Sequence, residues 1–203
     1  MSPPERGLMD VRRALEEIDQ RAEAGRWEDL LEFARSFCTD HSGETVARRI
    51  ALVDLRGYVE QLEVAAERSA RLAGVGEVQA VCFRYDPRDR WRGLFVACRS
   101  YAPRSAGDDR WLRDWTQVVR GPTLPIFAEL YLPDYQSAPQ AAGRMVYLVA
   151  RTVESLARAT RRWPQELPLC AGFPDQVLVT RIREPGAAGR PGRQHRALPG
   201  PAA

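Results

Sequence analysis

Between Leu8 and about Cys38 the apolar positions recur with the period of an α-helix. Leu8, Val11, Leu15 and Ile18 fall on one face, and Trp27, Leu30, Leu31, Ala34 and Phe37 form a second stripe. Gly25 lies between the stripes and marks a helix end or tight turn, so "AEAGRWEDLLEFAR" reads as the turn of a helical hairpin. A fainter echo follows at a spacing of 32 residues, where "GYVEQLEVAA" aligns with "GRWEDLLEFA". Gly57 then marks either a second hairpin turn or a position inside one long helix, where Gly costs about 1 kcal/mol relative to Ala. Either way residues 8–73 are predicted helical. Gly74 and Gly76 punctuate a change of period. Val78, Ala80 and Cys82 alternate with Val81, Phe83 and Tyr85, and "LFVACRSY" is a second run rich in strand formers. Asp86-Pro87-Arg88-Asp89 between them has turn chemistry. A β-hairpin is predicted. Both of its faces are apolar, so it is expected to be covered on both sides or central to a sheet.

Further along, Trp111, Trp115 and Val118 have helical spacing, with Asp108 or Asp109 as a possible cap, and "PIFAELYL" fits strand or helix equally. Ser137 to Gln140 fits a capping box with Pro inside the first turn. The helix behind it is predicted to run from 138 to about Arg162, with Met145, Leu148, Val149, Thr152, Leu156 and Ala159 on one stripe. "QVLVTRI" (176–182) predicts the last strand. These elements imply one α+β domain over residues 1–184: a helical N-terminal part packed on a small, mostly antiparallel sheet, with a long C-terminal helix. Residues 185–203, mostly Gly, Pro, Ala and Arg, are expected to be a disordered tail.

Composition adds limits. The chain has 203 residues, which suits one domain. All 30 of its basic residues are Arg, a bias that fits a genome-wide preference better than local selection for a site. Arg190, Arg193 and Arg196 in the tail account for the whole net charge of +3, and the rest is balanced. A strongly basic nucleic-acid surface is therefore not expected. The N-terminal stretch has no apolar segment typical of a signal peptide, and no run approaches the roughly 18 apolar residues of a membrane span. Cys38, Cys82, Cys98 and Cys170 are scattered without a C-x-x-C, so buried free thiols in a cytoplasmic protein are expected. Trp27, Trp115 and Trp163 are expected in the core.

Candidate chemistry is sparse. His41 and His195 are the only histidines, and neither belongs to a metal-ligand or triad motif. His41 and Asp40 are placed between two helices, with Ser42 as an N-cap. "GVGEVQ" lacks the third Gly of a dinucleotide fingerprint and precedes a strand rather than a helix. No cofactor or metal is predicted. Paired carboxylates are the one enzymatic option, with Asp86, Asp89 or Asp175 as a hydrolytic acid and base. Arg and aromatic residues on a β-surface could also stack a single-stranded nucleic acid. Protein binding fits better, because Trp, Tyr and Arg dominate interface hot spots. The candidate binding residues are Arg90, Trp91 and Arg92 with Asp86 and Asp89, and the reading requires Trp91 to face solvent.

Two resemblances accompany these patterns. The turn carrying Gly25 and Trp27 resembles that of a tetratricopeptide repeat, although Leu30 stands where that family has a small Ala. "FRYDPRDRWRGLFVACRSY", followed by a long helix, a Trp and "PDQVLVTRI", resembles uncharacterised bacterial α/β proteins thought to be immunity proteins of polymorphic toxins. That resemblance covers about residues 44–183. It implies a non-catalytic protein that binds a protein partner by charge complementarity.

Overall fold

The computed structural model describes residues 3–74, 77–101, 113–131, 139–173 and 179–184. Four helices fill the N-terminal part: α1 (Pro3–Glu23), α2 (Trp27–Ser42), α3 (Glu44–Ala51) and α4 (Arg56–Ala73). Gly25 adopts φ +67°, a left-handed conformation that closes α1 and allows α2 to start two residues later. The expected helical hairpin is therefore present, but its echo is not. Gly57 is the second residue of α4, so the two aligned stretches are not equivalent units. Ser42 is also placed differently from expectation. It is the last residue of α2, α3 starts from Gly43, and the Ser42 hydroxyl donates across to the Gln140 carbonyl.

The predicted hairpin is formed by β1 (Ala80–Asp86) and β2 (Arg92–Cys98). Next come β3 (Trp115–Arg120), α5 (Pro125–Tyr131), α6 (Pro139–Ala159), β4 (Leu169–Gly172) and β5 (Thr180–Arg183). The sheet order is β3-β2-β1-β4-β5. Pairs β1/β2, β2/β3 and β4/β5 are antiparallel, while β1/β4 is parallel because α5 and α6 lie on the connection before β4. The fold is α+β. Within "PIFAELYL", the described residues Pro125–Tyr131 form the helix α5. The helical reading of Trp115 and Val118 is wrong, since both belong to β3. Trp111, the capping-box Ser137, Asp175 and the tail 185–203 lie outside the described residues.

Burial on both faces of the hairpin holds as predicted. Val81, Phe83, Tyr85, Phe95 and Leu169 join the helices in the main core. Ala80, Cys82, Val96, Cys98 and Cys170 form a second apolar cluster on the opposite face. All four cysteines are free and buried, and burial pushes the Cys98 thiol up to about 12, so it stays protonated and unreactive. Among the described residues no helix is long and apolar enough to cross a membrane.

Helix α6 is the hub. It touches α1 to α5 and β5, and Met145 to Ala150 are buried without a break, while Arg144, Arg151, Glu154 and Arg158 keep some exposure along one side of the helix. Its closest neighbour is α2. A Cβ on Gly143 would lie 3.1 Å from the Cys38 Cα and 2.5 Å from the Ser42 Oγ, so only Gly permits this approach. Arg151, one side of α6, reaches the end of α3. Its guanidinium donates to the carbonyls of Ile50, Ala51 (3.1 Å) and Val53 (3.0 Å). The planar fork thus satisfies carbonyls that the helix end leaves open, where the helix dipole also favours a cation. At the other edge, α1 covers β5. The Asp19 carboxylate accepts the Arg181 backbone N–H at 3.2 Å, and Arg181 pairs with Glu23 at 2.9 Å. Asp19 is only 7% exposed, and desolvation, with Glu23 adding repulsion, raises its pKa from 3.8 to about 6.

Two outcomes follow from these contacts. Arg151→Lys loses the fork geometry and costs about 2 kcal/mol in urea unfolding, since hydrogen bonds from charged donors contribute roughly 1.5–3 kcal/mol. Full retention of stability by the Lys variant would refute the fork argument. The raised pKa of Asp19 means its protonated form favours folding. That stability is present below pH 4 and is lost as pH rises through 6. Asp19→Asn keeps an acceptor for the Arg181 N–H and is expected to stabilise the protein at pH 7 by about 3 kcal/mol, at ~1.4 kcal/mol per pKa unit over the rise from 3.8 to about 6. Melting curves at pH 4 and pH 7 check this, because the gain is expected at pH 7 and absent at pH 4.

Candidate functional site

The knot between β1 and β2 is built by two overlapping turns. Asp86 accepts twice, its carbonyl from the Asp89 N–H at 3.2 Å and its carboxylate from the Arg88 N–H at 2.9 Å. This is the Asx-type turn chemistry expected of Asp before Pro. The Arg92 N–H then donates to the Asp89 carbonyl at 2.9 Å. Between them Arg90 (φ 52°) and Trp91 (φ 53°) are both left-handed. Two consecutive positive φ values define a type I′ turn, which normally takes Asn and Gly. Placing Arg and Trp there costs of order 1 kcal/mol or more at each position.

Burial of Trp91 offsets this strain. Its relative exposure is 0%, so Trp91 does not face solvent and cannot anchor a partner; this corrects its place among the candidate binding residues. The indole N–H donates to the Thr152 Oγ1 at 2.9 Å, and that hydroxyl donates on to the Leu148 carbonyl at 2.8 Å. Tyr85 stacks against the ring at 5.6 Å, and Phe127 and Tyr131 meet it edge-on at 5.5 and 5.7 Å. Trp91 is therefore the joint between the hairpin, α5 and α6. The left-handed pair turns this one side chain inward and leaves Arg90 and Arg92 exposed on either side.

The remaining tip residues are occupied locally. Asp89 pairs with Arg92 at 3.2 Å, and Asp86 is engaged by the turn itself. The two carboxylates sit on a solvent-exposed turn. Asp175, the third acid of the hydrolytic alternative, lies outside the described residues. His41, at the end of α2, stacks on Phe37 at 4.0 Å, with Nδ1 2.9 Å from the Phe37 carbonyl, which is a packing role.

An exposed aromatic does exist nearby, and it is Trp115, the residue expected in the core. Trp115 is 53% exposed and Val118 is 42% exposed. Trp115 stands opposite Cys98 and Val118 opposite Val96, with a register shift between Ala97 and Cys98. That bulge inserts one residue and lets two positions three apart share a face. Leu94 and Arg120 face each other one pair further along, and Arg92 lies beyond Leu94 on the same face of β2. Thus Trp115, Val118, Arg120, Leu94 and Arg92 form a strip along the β2–β3 side of the sheet. The Arg99–Asp114 pair at 3.7 Å flanks it. Of the predicted binding residues, only Arg92 belongs to this strip.

Truncation separates the two tryptophans. Trp91→Phe keeps most of the ring contacts but leaves Thr152 without its donor. It is expected to cost about 1–3 kcal/mol by chemical denaturation, the usual range for a broken buried hydrogen bond. Trp91→Ala should cost about 3–5 kcal/mol. A near-neutral Trp91→Ala variant would show that the indole is not a structural joint.

No protein-family model matches the chain, and no curated protein or solved structure matches it, so its functional reading rests on the geometry of its own surface.

Proposed function

We propose that the protein is a non-catalytic module that binds a protein partner through the strip of Trp115, Val118, Leu94, Arg92 and Arg120. The observation that carries this reading is a Trp more than half exposed beside an exposed Val and two Arg. Trp and Arg are the residues most enriched in interface hot spots, and a clustered apolar exposure of this kind marks contact surfaces. Arg92 and Arg120 would supply the polar rim and select a partner of opposite charge. An immunity-type protein that neutralises a toxin is the specific form of this reading favoured by the hairpin resemblance. A cytoplasmic setting suits four free, buried thiols.

A second reading has one observation in its favour. A Trp and an Arg on a sheet surface also form a stacking platform for a single-stranded nucleic acid. The balanced charge of residues 1–184 weighs against it, because such binding depends on a strongly basic groove.

The test is affinity capture with the full chain and its Trp115→Ala variant. A specific protein partner should be retained by the wild type and held about thirtyfold more weakly by the variant, the loss expected of a hot-spot Trp worth ~2 kcal/mol. The two proteins should melt at the same temperature. Equal retention by both, or salt-dependent binding of a single-stranded oligonucleotide at Trp115, would overturn the proposal.

A further inference from the structure

A cleft of about 480 Å³ opens on a different part of the molecule, where the α1–α2 turn, the end of α6 and β5 come together. Arg26, Arg158, Arg161 and Arg183 line it, and half-buried Trp27 and buried Ala157 supply an apolar wall. The fold brings these residues together from distant positions. The left-handed Gly25 sets the first residues of α2 beside α6. The last turn of α6 places Arg158 where the helix dipole favours cations, and Arg161 follows just beyond it.

Two of the four arginines have partners. Arg26 lies 3.6 Å from Asp29, and Arg158 lies 3.7 Å from Glu154. Arg161 and Arg183 have no carboxylate within ion-pair distance among the described residues. The cleft is also partly shielded from water, since burial pushes the Glu154 carboxyl up despite three nearby arginines. Guanidinium groups interact more strongly with an anion in such a setting than on open surface, and their fork matches a carboxylate in two hydrogen bonds. The size of the charge matters too. Four Arg face Glu28, Asp29 and Glu154, a surplus of a single positive charge. That balance suits one carboxylate better than a phosphate dianion or a polyanion.

We propose that this cleft binds the carboxylate of an organic anion, held by Arg161 and Arg183, with the apolar body of the anion against Trp27 and Ala157. The carboxylate comes either from a free small acid or from the end of a peptide chain. The site is separate from the β2–β3 strip and stands independently of the reading given to it.

Sodium benzoate is the probe, titrated into the full chain while NMR follows the Trp27 indole N–H, assigned with Trp27→Phe. Saturable movement of that signal is expected with benzoate and none with benzamide, its neutral counterpart. Arg161→Ala and Arg183→Ala should each weaken binding about tenfold, the loss of one charge-assisted hydrogen bond. Both variants should keep the wild-type melting temperature, and Arg161→Gln should bind as weakly as Arg161→Ala if charge is what counts. A short peptide ending in Phe competes with benzoate if chain ends are the source, and its C-terminal amide does not. Absence of competition by the free peptide assigns the cleft to small acids. Equal response to benzamide, tighter binding of inorganic phosphate, or unchanged affinity in both arginine variants would overturn the proposal.

Discussion

Burial of α6 is the constraint on which the rest of the architecture depends. Met145 to Ala150 are apolar or aromatic and buried on every side, and the charged residues of α6, Arg144, Arg151, Glu154 and Arg158, are confined to one narrow side of the helix. Every other helix, and β5, therefore has a common surface to pack against. Gly143 sets how closely α2 approaches, and Arg151 holds the end of α3. Thr152, the next residue, receives the indole of Trp91. One helix thus fixes the positions of elements from both halves of the chain.

The hairpin tip shows how local and tertiary preferences are weighed against each other. Left-handed Arg90 and Trp91 oppose local backbone preference by roughly 1–3 kcal/mol each. An indole taken fully out of water, hydrogen-bonded and ringed by three aromatic side chains returns a comparable or larger amount. The strain is a consequence of core packing. In a tight turn it would invite a functional interpretation, yet the side chain it positions points away from any partner.

Elements with an unbroken period were legible from the sequence. The helical hairpin at Gly25, the β1–β2 hairpin and the long helix α6 all follow from apolar spacing, and the α+β class follows from their order. Three features were not legible, each for a physical reason. Trp115 and Val118 mimic a helical spacing because a bulge adds a residue between two positions on one sheet face. Trp91 lies among Asp and Arg, and only the left-handed turn reverses its direction from that of its neighbours. The arginine cleft joins residues at 26, 158, 161 and 183, so no local pattern announces it. The polar character of a segment indicated where solvent lies on average. It did not indicate which aromatic within that segment crosses to the inside.

The late position of α6 has a consequence for biosynthesis. Helices α1 to α4 and the β1–β2 hairpin all precede it in the chain, yet the apolar faces of those helices close on it. During translation these segments emerge before their common packing surface exists. The nascent chain therefore carries uncovered apolar stripes, and an unanchored Trp91, until residue 159 has left the ribosome. The early elements do touch one another, α1 with α2, α2 with α3 and α4 with the hairpin, but the surface they share is completed only when α6 arrives, and exposure to aggregation and to chaperones is greatest before that point.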